Sequence, residues 1–350
     1  LVIGICGSYG KTSTKEFLAT ILEEKFPGKV LKTKEHQNSE VGISRCILED
    51  LNENYKIFIV EMGAYNKGGI KLLCDIVKPK IGVITGVNEQ HLVLFGSMEN
   101  LISAEGGKEL IESLPEDGLV IFNGESEILR RIYQETKIKK RIVGISKKEF
   151  DLWAGNIKVK KDVLFFQVFT KDGEIGDFNL NLIGAQNIQN LLLAICCAKE
   201  LGMSLKEISK TTKRIKQEQS GVKLIKTKDG LNIVDATYSA NPDSVISHLE
   251  YLKVWSGKRV IVMPCLIELG EKSTEIHRKI GRKISEVCDL AIIVTKDKFE
   301  EIKETAKEKA IFLENPKEIF EKIKKFKGEN DIILLEGRLS REFLNLVYGG

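Results

Sequence analysis

The stretch ICGSYGKTSTKEFLATILEEKF, residues 5–26, decides how the chain begins to fold. It grows out of the apolar run LVIGIC (1–6), which predicts a buried strand. A glycine turn, a Lys-Thr pair and a helix over 11–25 follow, with Phe17, Leu18, Ile21 and Leu22 on one helical face. A loop that leaves a buried strand and opens a helix aims its backbone N–H groups at an anion, and the helix dipole strengthens the attraction. Gly7 and Gly10 permit close approach, Lys11 supplies a point charge for β and γ phosphates, and the Thr12 hydroxyl is placed to bind Mg²⁺. The spacing is the short form GSYGKT, because the strict P-loop pattern would need a glycine where Ile5 stands. A nucleoside triphosphate site is the expectation, with the use of the phosphate still open.

Working outward, KIFIVEMG (56–63) and KIGVITGV (80–87) are continuous apolar runs, the mark of parallel strands covered on both faces. Glu61 and His91 follow the ends of these strands, where ligands of open α/β sheets gather. A carboxylate there is a natural Mg²⁺ ligand. A lone histidine is more often structural, but Thr12, Glu61 and His91 at three successive strand ends favour a metal site. From 119 to 182 the runs LVIFNG, RIVGIS, WAGNIKV, DVLFFQVF and DFNLNLIG predict a β-rich subregion, followed by a helix over 187–201. KTTKRIKQEQSG (210–221) reads as a linker, after which strands and helices alternate again to the end. The predicted fold class is α/β. A mostly parallel P-loop ATPase-type domain with a β-rich subregion (1–214) precedes a smaller Rossmann-like α/β domain (215–350).

Composition narrows the function classes. The formal net charge is +4 over 350 residues, and basic runs such as KIKKR (137–141) lie between apolar segments, which argues for solvated surface and against a nucleic-acid partner. No apolar run reaches the ~18 residues of a membrane span. Seven cysteines, an odd number with no C-x-x-C, sit mostly in apolar runs and predict reduced thiols in a cytoplasmic protein. His248, Trp153 and Trp255 read as packing residues.

Beyond these residue-level readings, the chain resembles the Mur ligases, ATP-dependent amide-forming enzymes of peptidoglycan synthesis. The motifs that carry the resemblance run in the family's order: GSYGKTSTKE (7–16), NSEVGI (38–43), VEMGAYNKGGI (60–70), HLVLFGS (91–97), LPEDGLVIFNG (114–124), GAQNIQN (184–190), DATYSANPDS (235–244) and ELGEKSTEIH (268–277). They are most similar to the branch that adds D-alanyl-D-alanine. The resemblance implies ATP and Mg²⁺ as cofactors and an acyl phosphate formed on a substrate carboxylate and attacked by an amine. The substrates would be a UDP-muropeptide and an amino acid or dipeptide, and the enzyme would act as a monomer. Gly7, Ser8, Tyr9, Gly10, Lys11, Thr12 and Ser13 would hold the phosphates, Asn187 and Asn190 would lie near the adenine, and Thr12, Glu61 and His91 would bind metal. Asn38, Asn241 and His277 would face substrate. The family's N-terminal UDP-sugar domain is absent from these residues, either removed or never present.

Several positions depart from the family pattern. A carbamoylated lysine is expected in a motif like A-K-G-E. Aligning on ELIESLP puts Gly107 in its place and Lys108 one residue later, about 100° around a helix. Lys108 is then either the catalytic lysine after a small shift or a surface lysine. Val222 stands for a phosphate-reaching Arg, Ala236 for a ribose-binding Asp whose role Asp235 would take, Gln186 for a His, and Glu336 for a Lys. Four readings stay open: a muropeptide ligase, the same chemistry on another acceptor as in folylpolyglutamate or cyanophycin synthetases, a degenerate nucleotide-binding protein, and a plain P-loop NTPase or kinase.

Overall fold

A computed structural model describes residues 1–34, 37–88, 91–145, 147–238 and 240–349. Glu89 and Gln90, just before His91, lie outside the described residues. So do Ser146, which closes an expected strand, and Ser239 within DATYSANPDS. The chain divides into two compact units. The first comprises residues 1–158, 164–181 and 187–219, and the second comprises 159–163, 182–186 and 220–350.

The first unit is built on strands β1 (Val2–Cys6), β2 (Val30–Lys32), β3 (Ile57–Glu61), β4 (Ile81–Ile84), β5 (Leu119–Asn123), β6 (Lys139–Ile145), β7 (Leu152–Val159), β8 (Leu164–Thr170) and β9 (Ile175–Leu180). They form one sheet in the order β2-β3-β1-β4-β5-β6-β7-β8-β9. The pairings from β2 through β7 are parallel, and β8 pairs antiparallel with β9. Strands β1, β3, β4 and β5 are apolar on both faces because helices cover both. Helix Lys11–Lys25 packs on β1 and β3 and buries Phe17, Leu18, Ile21 and Leu22 completely. The opposite face carries a core that includes Val60, Ile84, Phe122, Leu101 and Leu110. Helix Gln186–Glu200 is buried along most of its length, so its apolar residues run nearly all round.

The second unit comprises β10 (Lys223–Lys226), β11 (Asn232–Ala236), β12 (Arg259–Met263), β13 (Leu290–Ile293), β14 (Ala310–Phe312) and β15 (Ile332–Glu336), in the order β10-β11-β15-β12-β13-β14. Only β10 runs antiparallel. Successive residues of β12 enter opposite cores, Ile261 and Met263 on one face, Val260 and Val262 on the other. That two-sided burial explains the continuous RVIVM run.

Two details depart from the expected elements. The stretch 210–221 is no open linker, since helix Leu205–Thr212 enters it and Gln217–Ser220 forms a 3₁₀ turn. The short strands β2 and β10 carry too few residues for a period to register in the sequence. All seven cysteines are free and buried. Burial pushes the Cys197 thiol up to about 12, which leaves it protonated and inert.

Candidate active site

Parallel register assembles the site in the first unit. Ile5 of β1 pairs with Glu61 of β3, and Cys6 pairs with Ile84 of β4. The loop after β1, the Glu61 side chain and the segment after β4 therefore emerge side by side at one sheet edge. Strand order reverses at β1, with β2 and β3 on one side and β4 to β9 on the other, and ligands bind at such switch points.

The loop is fixed from both flanks. Ser8 N donates to Gly86 O at 2.8 Å, and the Thr85 hydroxyl donates to the carbonyls of Tyr9 and Cys6. A Cβ on Gly7 would lie 2.2 Å from Thr85 Oγ1, and one on Gly10, at φ 78°, 2.4 Å from Asn190 Oδ1. Both glycines are needed for this close approach. Asn190 thus abuts the phosphate loop itself, and Asn187 is buried beside it on the same helix. Tyr9 is half-buried, its ring against Gly86, and Ser13 lies half-buried in the first helical turn. Lys11 Nζ donates to the Gly7 carbonyl, which holds the ammonium over its own loop.

Glu61 is 93% buried and shared among three partners. Oε1 accepts from Thr12 Oγ1 at 3.1 Å and from Asn38 Nδ2 at 3.4 Å, while Lys15 Nζ lies 3.1 Å from Oε2. Asn38, expected at substrate, here braces Glu61. Lys15 is fully buried, and a buried ammonium costs several kcal/mol unless a carboxylate pairs with it. Sequence reading passed over Lys15. The available signal was its place on the apolar stripe of the helix, three residues before Leu18 and seven before Leu22.

His91 is half-buried at the start of the short helix Leu92–Phe95. Its Nδ1 lies 2.8 Å from Oε1 of Glu105, whose Oε2 accepts from Ser8 Oγ at 2.6 Å. Burial would raise the Glu105 pKa, but the His91 bond, the Lys11 charge and the Ser8 hydroxyl outweigh it and hold the carboxyl below the usual range. Gly107 sits at φ 82°, where a side chain would be strained, and a Cβ there would lie 2.4 Å from Ile84 Cδ1. Lys108 is exposed and opens helix Lys108–Ser113. The side chain that joins the phosphate loop from this segment is Glu105.

In the second unit the expected site residues are engaged internally. Asn241 caps helix Pro242–Leu252 by accepting from the N–H groups of Asp243 and Ser244 at 3.1 and 3.0 Å. Asp235 accepts from the Thr237 hydroxyl through one oxygen and from the Tyr348 hydroxyl through the other, at 2.6 and 2.7 Å. His277 is fully buried. Its Nδ1 reaches the Ser273 carbonyl at 2.7 Å, and its Nε2 accepts from Leu266 N at 3.0 Å. A carbonyl only accepts, so Nδ1 carries the proton and the ring is neutral. Burial lowers the His277 pKa, and the Ser273 bond opposes this only in part. The departures from the family pattern are likewise built in. Val222 and Ala236 belong to a core, Gln186 accepts from Ser247 Oγ at 2.7 Å, and Glu336 pairs with the buried His248 at 2.7 Å.

Among the described residues no group of three or more His, Cys, Asp or Glu side chains converges on a metal position. The donor set still fits Mg²⁺, which keeps several waters and takes one or two carboxylates beside substrate phosphates. Thr12 and Glu61 meet at 3.1 Å beside the loop. No helix among the described residues is long and apolar enough to cross a membrane.

Comparison with known proteins agrees with this geometry. The Mur ligase middle domain matches residues 5–198, and the Mur ligase glutamate ligase domain matches 222–339. The UDP-N-acetylmuramoyl-tripeptide–D-alanyl-D-alanine ligase of Bacillus subtilis is 30% identical over 289 residues, 81% of this chain and 60% of its own length. The enzyme of that name from Haemophilus influenzae is 29% identical over 81% of this chain and 61% of its own. The chain thus spans about three-fifths of the length of these relatives. Among solved structures, MurF from Acinetobacter baumannii superposes with a TM-score of 0.87 at 26% identity, covering 99% of this chain and 75% of that one. MurF from Thermotoga maritima in complex with ADP gives 0.87 at 25% identity, covering 99% and 79%. With both domain models matched in order and the phosphate loop assembled at the expected sheet edge, the chain belongs to the Mur ligase family.

Proposed function

We propose that the protein is an ATP-dependent, ADP-forming ligase that joins D-alanyl-D-alanine to the carboxylate of a UDP-MurNAc-tripeptide. The observation that carries this reading is the convergence of Lys11, Thr12 and Glu61 at the carboxyl ends of β1 and β3, in a chain of which 81% aligns with a protein of that name. Thr12 and Glu61 would hold Mg²⁺, and the bound ion would neutralise the phosphate oxygens. The N–H groups of residues 10–13 would cradle the phosphates, and Lys11 would follow the γ-phosphoryl group as charge moves to the leaving oxygen. Lys15 holds the Glu61 carboxylate in place beside the loop. Attack of the substrate carboxylate on the γ-phosphorus gives an acyl phosphate and ADP. Attack of the dipeptide amine on the acyl carbon then forms the amide, expels phosphate and releases one proton.

A second reading, nucleotide binding without turnover, draws on Val222 and Glu336, which replace cations of the family pattern with a core residue and a paired carboxylate. One experiment separates the two. Mg²⁺-dependent phosphate release is measured on the complete natural gene product with UDP-MurNAc-tripeptide and D-alanyl-D-alanine, singly and together. Release that requires both and disappears in Lys11→Ala supports the ligase. Nucleotide binding without release under any combination supports the second reading.

A further inference from the structure

The second sheet has a switch point of its own. Helix Ser273–Val287, which follows β12, packs into the core that holds Ile261 and Met263. Helix Arg341–Tyr348, which follows β15, packs into the opposite core with Val260 and Val262. Strands β12 and β15 are direct neighbours, Val262 being paired with Leu335. The chain therefore leaves two adjacent strands toward opposite faces, and such a divergence opens a crevice at the carboxyl edge. The loops meet at Gly337, which turns the chain at φ 70°. A Cβ there would lie 3.2 Å from Ala240 Cβ and 3.4 Å from Pro264 Cδ, so the loops after β11, β12 and β15 start from one point.

Two charged side chains on these loops have no partner. Arg338, directly after Gly337, is exposed, and Glu268, four residues after Pro264, is half-buried. Among the described residues no hydrogen bond or ion pair engages either side chain, and the two do not pair with each other. The carboxylates at the neighbouring strand ends do not neutralise Arg338. Glu336 is fully buried against His248, and Asp235 has both oxygens engaged. Glu268 also sits at φ 64°, a conformation that side chains other than glycine rarely adopt and that gathers at functional sites. On the flanking loops Tyr238 and Ile267 are exposed and offer apolar surface.

An unpaired cation and an unpaired anion on adjacent loops match a ligand with one charge of each sign at its two ends. We infer that Arg338 and Glu268 are specificity-determining residues for the amine substrate. The Arg338 guanidinium takes the terminal carboxylate of the dipeptide, in the bidentate form that its planar fork favours, and the Glu268 carboxylate holds the ammonium end. The inference rests on the reading of the protein as a ligase that consumes D-alanyl-D-alanine.

The test measures phosphate release by the complete natural protein with ATP and UDP-MurNAc-tripeptide saturating. The varied substrate is D-alanyl-D-alanine or its C-terminal amide, which keeps the ammonium and loses the carboxylate. Arg338→Ala is expected to raise KM for the dipeptide about tenfold to a hundredfold, the range for a lost charge-assisted contact, and KM for the amide less than about threefold. Arg338→Lys, which keeps the charge and loses the fork, is expected to fall between wild type and Arg338→Ala. Glu268→Gln is expected to raise KM for dipeptide and amide alike, about tenfold, with KM for ATP unchanged. Arg341→Ala removes an equally exposed arginine three residues further on and is expected to match wild type. Neither Arg338 nor Glu268 holds the fold through its side chain, so unfolding midpoints should stay at the wild-type value. Equal increases for dipeptide and amide in Arg338→Ala, the same increase in Arg341→Ala, or a wild-type KM for the dipeptide in Arg338→Ala or Glu268→Gln would overturn the inference. If wild type releases no phosphate with both substrates present, the ligase reading fails and this inference falls with it, an outcome distinct from the others.

Discussion

At the carboxyl ends of β1, β3 and β4, Lys11, Thr12 and His91 are half-buried, each tied to its neighbours by one side of its polar group. At the carboxyl ends of β11, β12 and β15, Asp235 has both oxygens engaged, His277 both ring nitrogens, and Glu336 is paired with His248. The two sheets are alike in construction, and both place polar side chains where α/β proteins bind ligands. They differ in unspent hydrogen-bonding capacity. The first edge can take a new partner without breaking an existing bond, whereas the second spends most of its strand-end polar groups on holding loops, with Glu336 Oε1, buried and without a partner among the described residues, as the exception. A polar residue at a strand end therefore marks a site only when valence is left over after the fold is satisfied.

Substitutions break or sharpen this contrast, beginning with the largest effects. Lys15→Ala leaves Glu61 buried beside no cation, and breaking such a pair costs about 3–5 kcal/mol. Urea unfolding should register that loss, and a cost below about 1 kcal/mol would show that solvent reaches Glu61. Lys11→Ala should lower phosphate release by about 10²–10³, as loss of one preorganised charge-stabilising donor does. Its unfolding midpoint should barely move, because Lys11 holds only its own loop.

His277 reverses that pattern, with stability moving first. Replacing it by Ala removes two bonds and strands the Leu266 N–H, a cost of about 2 kcal/mol. Its pH dependence has a definite sign. The folded pKa lies below the unfolded value of about 6.5, so on acidification the unfolded chain takes the proton first. The stabilisation is complete above about pH 6.5 and is lost as pH falls through the folded value. Unfolding measured from pH 7.5 down to 5.5 should show this decline in wild type, with the His277 contribution to the slope missing from His277→Ala. An unchanged slope would mean that the ring is charged in the fold and the neutral tautomer is wrong.

These cases also show what could be read from the chain alone. The strand, glycine loop and helix were legible because a β-run, two glycines, Lys-Thr and a 3.6-residue period all coincide within 1–25. Glu61 was legible because its strand is apolar up to that residue. Lys15 was not, because its meaning depends on Glu61, 46 residues away, packing against one particular helix face. Glu105 was missed for a similar reason. Its partners Ser8 and His91 lie 97 and 14 residues away in sequence, so no local pattern marks it. His277 and Asn241 lie in the expected motifs, but sequence does not reveal how many of their hydrogen bonds the fold has already used.

Asn241 gives the smallest expected effect and the closest test of the contrast. Its side chain is the N-cap of helix Pro242–Leu252, and Ser244 returns a hydroxyl bond to the Asn241 carbonyl and accepts from its N–H. Loss of such a cap costs about 1 kcal/mol, and Asn241→Ser should recover most of it because serine caps nearly as well. If Asn241 acts only through the helix, turnover should follow stability: Asn241→Ala falls modestly, and Asn241→Ser is near wild type in both. If Asn241→Ser restores the unfolding midpoint but not the KM for the amine substrate, the amide also touches substrate. The second sheet edge would then have further unspent capacity, and the contrast between the two units would have to be redrawn at this residue.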